Sequence, residues 1–125
     1  MHTLSKTAPG ATAVACGDLD GASAEDVVVG FESGRAVVYF NNNNGESFTP
    51  VVVRSEATPV IAVGIGRFNT DVHPDVIVAH TDRIVYLPGT STTSFGQPLT
   101  IRISDIKAAA VGDVNEDGRV DVVYL

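Results

Sequence analysis

Three segments of the chain align with one another without gaps, and this repeat restricts the fold more than any other feature of the sequence. They are Gly17–Val29, Gly66–Val78 and Gly112–Tyr124. In each, a glycine precedes a polar loop, and an aspartate nine residues later (Asp26, Asp75, Asp121) opens an apolar run. The starting positions 17, 66 and 112 give spacings of 49 and then 46 residues. Downstream features recur as well: Val38-Tyr39-Phe40 aligns with Val85-Tyr86-Leu87, and Ser47-Phe48-Thr49 with Ser94-Phe95-Gly96. A period in the forties, built from short strands, corresponds to one four-stranded propeller blade per repeat.

The runs between turn signals are rich in Val and Ile, as strands require. Expected strands in the first repeat lie near Thr12–Cys16, Asp26–Phe31, Arg35–Phe40 and Thr49–Arg54, with a tight turn at Glu32-Ser33-Gly34 and a polar hairpin tip at Asn41–Asn44. The second repeat places them near Val60–Ile65, Asp75–His80, Arg83–Leu87 and Leu99–Ile103. Ala108-Ala109-Ala110-Val111 has helical propensity, but its place in the repeat makes it an inner strand. The expected fold is therefore all-β, with antiparallel four-stranded blades and about two and a half repeats. Residues 1–11 form an N-terminal segment available as an outer strand, 12–58 and 59–106 two blades, and 107–125 a half blade. An unclosed blade leaves sheet edges and an apolar face to be covered. Assembly of identical chains, or membership of a larger propeller, would cover them.

The third loop carries the strongest chemical signal. Asp113, Asn115, Asp117 and Asp121 alternate along it, with Gly118 at the turn. Such spacing lets side-chain oxygens converge on a hard cation, most plausibly Ca²⁺. Asp, Asn and Gly also favour plain solvated turns, and that reading competes in the first two loops more than in the third. An EF-hand is the nearest rival, but it needs a bidentate Glu at position twelve. Tyr124 stands there, and the residues after Asp121 read as a strand.

Gly-Asp-x-Asn-x-Asp-Gly-x-x-Asp followed by an apolar strand, together with the Ser-Phe-Gly element at Ser94–Gly96, resembles the FG-GAP/VCBS repeats of integrin-α-like β-propellers. The resemblance covers about residues 12 to 125 and is most specific at Gly112–Val123. It implies a Ca²⁺ loop between the first two strands of a blade. In the third loop Asp113, Asn115, Asp117 and Asp121 would supply side-chain oxygens and Arg119 its backbone carbonyl. The first loop keeps Asp18, Asp20 and Asp26, but Ala22 and Ser23 replace the third ligand and the glycine, so any site there is weak. In the second, Arg67 replaces the first Asp. Asn69, Asp71 and Asp75 remain, Arg67 is expected to pair with one of the carboxylates, and no ion is expected.

Composition narrows the function. Hydrophobic residues make up 44% of the 125, too many for a disordered chain, and the formal net charge is −7. That balance disfavours nucleic acid and anionic membrane surfaces, and no apolar run reaches transmembrane length. Cys16 is the only cysteine; its apolar context predicts a buried, inert thiol. The first six residues lack a signal-peptide core. His2, His73 and His80 are scattered, and no nucleophile motif, phosphate loop or metalloprotease motif occurs, so no enzyme is expected. Tyr39, Tyr86, Phe48 and Phe95 are expected to recur in register and pack between blades rather than form a ligand platform. The expected role is a non-catalytic, Ca²⁺-binding repeat module for binding, adhesion or assembly, extracellular or at the cell surface, with a protein or carbohydrate ligand. The alternatives are a lectin-like propeller and a non-catalytic part of a larger secreted enzyme or toxin.

Overall fold

The computed structural model describes residues 10–21, 24–42, 47–66, 74–90, 95–112 and 121–125. These form ten strands: β1 (Ala11–Gly17), β2 (Asp26–Phe31), β3 (Arg35–Asn41), β4 (Phe48–Ser55), β5 (Val60–Gly66), β6 (Asp75–His80), β7 (Arg83–Leu87), β8 (Leu99–Arg102), β9 (Ala109–Gly112) and β10 (Asp121–Tyr124). No helix occurs among the described residues, so none there is long and apolar enough to cross a membrane. All pairing within the sheets is antiparallel. Strands β1–β4 make a four-stranded meander (sheet I), β5–β8 a second (sheet II), and β9–β10 a two-stranded sheet III. Every strand expected within residues 12–111 is present, three with the anticipated bounds and the others differing by one residue at one or both ends; the N-terminal segment expected as an outer strand lies, up to residue 9, outside the described residues.

The repeat is a repeat of register. Gly17 pairs with Asp26, Gly66 with Asp75 and Gly112 with Asp121. The pairs that follow also correspond: Cys16 with Val27, Ile65 with Val76, Val111 with Val122. Even the irregularity at the far end recurs, between Ala11 and Ala13 in β1 and between Val60 and Ala62 in β5. Because alternate residues face opposite sides, equal register gives the three hairpins equal faces.

Those faces make the core. Val28, Ala36 and Val38 of sheet I pack against Val60, Val63, Val76, Val78 and Val85 of sheet II. The opposite face of sheet II, with Ala62, Ile77, Ala79 and Ile84, packs against Ala109, Val111 and Val122 of sheet III. Fully burying a Val side chain contributes about 2 kcal/mol, so these two interfaces carry much of the stability. They are close. A Cβ at Gly64 would meet Val111 side-chain atoms, one of them at 2.9 Å, so only glycine lets β5 approach β9 this nearly. A third cluster, Val29, Phe31 and Val37 with Val27 and Tyr39, lies on the side of sheet I away from sheet II.

Two expectations are corrected. Cys16 is exposed. Strand β1 turns Ala13 and Ala15 toward sheet II and leaves Val14 and Cys16 on the other side, so an apolar neighbourhood in sequence did not mean burial. The tyrosines do not recur in register. Tyr39 pairs with Val27, whereas the equivalent Val76 pairs with Leu87, and Tyr86 pairs with Ile77. The turn between β2 and β3 spans Glu32–Gly34, but that between β6 and β7 is only Thr81-Asp82. A one-residue difference moves a side chain to the other face. Phe48 and Phe95 do correspond, pairing with the equivalent residues Asn41 and Gly89.

The turns at the end remote from the acidic loops clasp the links between sheets. Glu56 N–H donates to Gly34 O (3.0 Å), and Ile106 N–H to Thr81 O (2.8 Å). Glu56 also receives the guanidinium groups of Arg54 and Arg83, the latter at 2.5 Å. Arg83 forks onto Asp82 with two contacts of 3.0 Å, and the Thr58 hydroxyl donates to the same carboxylate at 2.8 Å. Arg83 first, and Thr58 second, hold the Asp82 carboxyl well below its ordinary 3.8. A carboxylate depressed on folding stabilises the fold above its unfolded pKa, and that contribution disappears as pH falls through the folded value. Acid titration of stability below pH 3.8 should therefore be shallower in Asp82→Asn than in the parent; identical acid limbs would exclude this clasp.

Candidate metal centre

The loop from β1 to β2 brings three carboxylates together. One oxygen from each of Asp18, Asp20 and Asp26 lies within 4.8 Å of the others. Oxygens that share one Ca²⁺ at 2.3–2.6 Å can be at most about 5 Å apart, so the spacing fits a single ion. Asp18 and Asp20 are half-buried and Asp26 is fully buried. The backbone arranges them: Gly21, at φ +75°, turns the chain so that its N–H donates to Asp18 Oδ1 at 2.8 Å. Leu19, between the two half-buried aspartates, points inward and is buried in the core, which turns Asp18 and Asp20 outward together. Three carboxylates are too few for the six to eight oxygens Ca²⁺ prefers. Water or carbonyl groups would have to complete the shell.

Asp26 has a second task that its sequence position did not announce. Its Oδ2 accepts from Leu19 N–H (2.7 Å) and, more weakly, from Asp20 N–H (3.3 Å). Its Oδ1 accepts from Asn41 N–H (2.8 Å), at the end of β3. Asp75 repeats the arrangement in sheet II: it is fully buried, its Oδ1 accepts from Gly89 N–H (2.8 Å) and its Oδ2 from the Tyr86 hydroxyl (3.1 Å). Asn41 and Gly89 are the residues that pair with Phe48 and Phe95. The glycine, the aspartate and the phenylalanine of the repeat thus meet at one end of each four-stranded sheet. In sheet I the aspartate latches the first loop to the start of the connection between the third and fourth strands; in sheet II it holds the start of the same connection.

The remaining expected ligands are placed as follows. Asp121 opens β10, half-buried, at the position equivalent to Asp26 and Asp75. Asp113, Asn115, Asp117 and Arg119 lie outside the described residues, as do Ala22, Ser23, Arg67, Asn69 and Asp71. The described asparagines are engaged: Asn41 Nδ2 donates to Glu25 O just before β2, while within the β3–β4 hairpin Asn42 Nδ2 donates to Ser47 Oγ and Thr49 Oγ1 to Asn42 Oδ1. His80 is fully buried with Nδ1 2.9 Å from Thr58 O. A carbonyl can only accept, so Nδ1 carries the proton.

The latch was detectable in principle. The second repeat keeps Asp75 although Arg67 has displaced its first acidic ligand, a sign that the ninth-position aspartate serves something other than a metal. No protein-family model matches the chain, and no curated protein matches it in sequence.

Proposed function

We propose that the chain is a Ca²⁺-binding, non-catalytic repeat module of propeller-blade type, acting in binding, adhesion or assembly outside the cell. The observation that carries the reading is the convergence of Asp18, Asp20 and Asp26 in the β1–β2 loop. The fuller ligand set Asp113, Asn115, Asp117 and Asp121, with the Arg119 carbonyl, occupies the equivalent loop of the third repeat. The identical Gly–Asp pairing of all three hairpins supports treating the loops as copies of one device. Two four-stranded meanders stacked face to face, each with its acidic loop joining the first two strands, are what consecutive blades require.

Chemistry agrees with a metal that holds structure. Without an ion the clustered carboxylates repel one another; Ca²⁺ converts that repulsion into attraction and fixes the loop. The second loop is expected to bind none, because Arg67 stands where the first acidic ligand would be. A non-catalytic role is consistent with His80, whose ring is buried against a backbone carbonyl rather than presented to a substrate.

Thermal unfolding with excess Ca²⁺ and with EDTA tests the proposal. A ligand that binds only the folded form stabilises it by about 2.7 kcal/mol at 100 times Kd, so Tm should rise by several degrees with Ca²⁺. The response should shrink in Asp117→Ala, and Mg²⁺ should substitute poorly because it demands stricter geometry. An EDTA midpoint equal to the Ca²⁺ midpoint would reject the metal.

A further inference from the structure

We propose that His80 makes the joint between sheets I and II sensitive to acid, because its ring can take a second proton only when the joint opens. The proposal is independent of the metal loops, which lie at the opposite end of the sheets.

His80 ends β6 and is the largest fully buried side chain among the described residues. Alternate residues of a strand share a face, so its ring lies on the side of Val76 and Val78, which pack toward sheet I. Its Nδ1–H donates to Thr58 O at 2.9 Å. Nε2 is buried as well and has no hydrogen-bond partner among the described residues. In the neutral ring this leaves a lone pair without a donor. The imidazolium carries an N–H on both nitrogens. Its second N–H would stand in the interior without an acceptor, together with a charge removed from water, and that costs far more than an idle lone pair.

The surrounding charges do not offset this cost. Strand β5, which pairs with β6, carries no charged residue. Strand β7 brings Arg83, the turn before it Asp82, the link between the sheets Glu56, and β4 Arg54. Arg83 binds both Asp82 and Glu56, and Arg54 binds Glu56, so each carboxylate already has a cationic partner and the group is neutral as a whole. Glu32 and Arg35 of sheet I and Arg102, Asp105 and Lys107 after β7 are exposed. Asp26 and Asp75 lie at the opposite end of their strands.

The carbonyl that His80 holds belongs to the strip of chain through which the two sheets meet. The Thr58 hydroxyl donates to Asp82 at 2.8 Å. Val60, which pairs with His80, lies against Gly30 of β2, and its carbonyl accepts from the Thr12 hydroxyl of β1 at 2.6 Å. Turning the ring out to water therefore releases Thr58 and disturbs the contact of sheet I with β5.

Imidazole in an unfolded chain takes up a proton near about pH 6.5. Below that value the opened form binds more protons than the closed form, so stability falls as pH falls. The unfolding constant then rises about tenfold per pH unit, reaching about thirtyfold by about pH 5. Ordinary carboxylates titrate at about pH 4, and Asp82 lower still, so their effects occupy a separate window.

Urea unfolding in EDTA at about pH 7.5 and about pH 5 tests the proposal without any contribution from Ca²⁺. The parent's unfolding constant should rise about thirtyfold between the two. His80→Asn, whose Nδ2 can still donate to Thr58 O but which does not titrate, should lack that rise. His2→Gln combined with His73→Gln should keep it. Should His80→Asn fail to fold, nitrogen NMR of the labelled parent provides an independent readout: the His80 ring should show the Nδ1–H tautomer and remain neutral in the folded molecules as the folded fraction declines. A parent constant unchanged by acid, a rise equally large in His80→Asn, or a His80 ring that becomes imidazolium near about pH 6.5 with the native spectrum intact would overturn the proposal.

Discussion

Asp26→Ala should lose about 3 kcal/mol of stability even in EDTA. The buried carboxylate accepts from Leu19, Asp20 and Asn41, and alanine leaves the Leu19 and Asn41 N–H groups, held at 2.7 and 2.8 Å, without their acceptor. Leu19 is itself buried, so water reaches its amide only if the loop lifts away and uncovers the core. A domain of this size has roughly 5–15 kcal/mol in all, which makes the loss a large fraction. Asp75→Ala should cost a similar amount, because Gly89 N–H and the Tyr86 hydroxyl lose their acceptor. Asp18→Ala is the contrast: it sits half-buried, bonds the N–H of Gly21 three residues on, and should cost under about 1 kcal/mol without Ca²⁺. Urea midpoints at unchanged slope measure all three. An Asp26→Ala midpoint in EDTA indistinguishable from that of Asp18→Ala would show that the aspartate is a ligand only, not a latch.

Gly34→Ala should be at least as damaging, at about 3–4 kcal/mol. Gly34 holds φ +95°, a conformation that side chains disfavour. Its own N–H donates to Phe31 O and its carbonyl accepts from Glu56 N–H, so the residue cannot rotate away without giving up both bonds. A Cβ there would also press on backbone: the carbonyl oxygen of Glu56, with Glu56 C at 2.9 Å and Thr58 O at 2.8 Å. Those atoms belong to the link between sheets I and II, whose Glu56 carboxylate anchors Arg54 and Arg83. Relief must therefore move the link, and with it the contact between the two sheets. Chemical denaturation of Gly34→Ala against Gly21→Ala provides the control. Gly21 also has positive φ, but a Cβ there meets nothing within 4 Å, so only the conformational part of the cost should remain. Equal losses in the two variants would remove the clash from the explanation.

How much of this was readable beforehand depends on what fixes each feature. The hairpin register was readable because Gly-to-Asp spacing is nine residues in all three copies, and equal spacing with equal apolar patterning leaves one pairing. The position of Tyr86 was not, because its face depends on a turn one residue shorter than that before Tyr39. A match of three apolar letters cannot register such a change. Cys16 looked internal because its neighbours are apolar, yet burial on an inner strand depends on which neighbouring sheet is present to cover each side. The acidic loops were readable as places where oxygens gather. The division of labour within them was not: a ligand and a latch are both aspartates, and only the backbone donors around Asp26 and Asp75 distinguish them.

Calorimetric titration of the full chain with Ca²⁺, repeated on Asp117→Ala and Asp18→Ala, tests the reading of the repeat as a calcium-loop module most directly. A saturable Ca²⁺ isotherm is predicted, with its tighter component lost in Asp117→Ala, any weaker component lost in Asp18→Ala, and little response to Mg²⁺. No saturable heat up to millimolar Ca²⁺, or an isotherm unchanged in both variants, would contradict it.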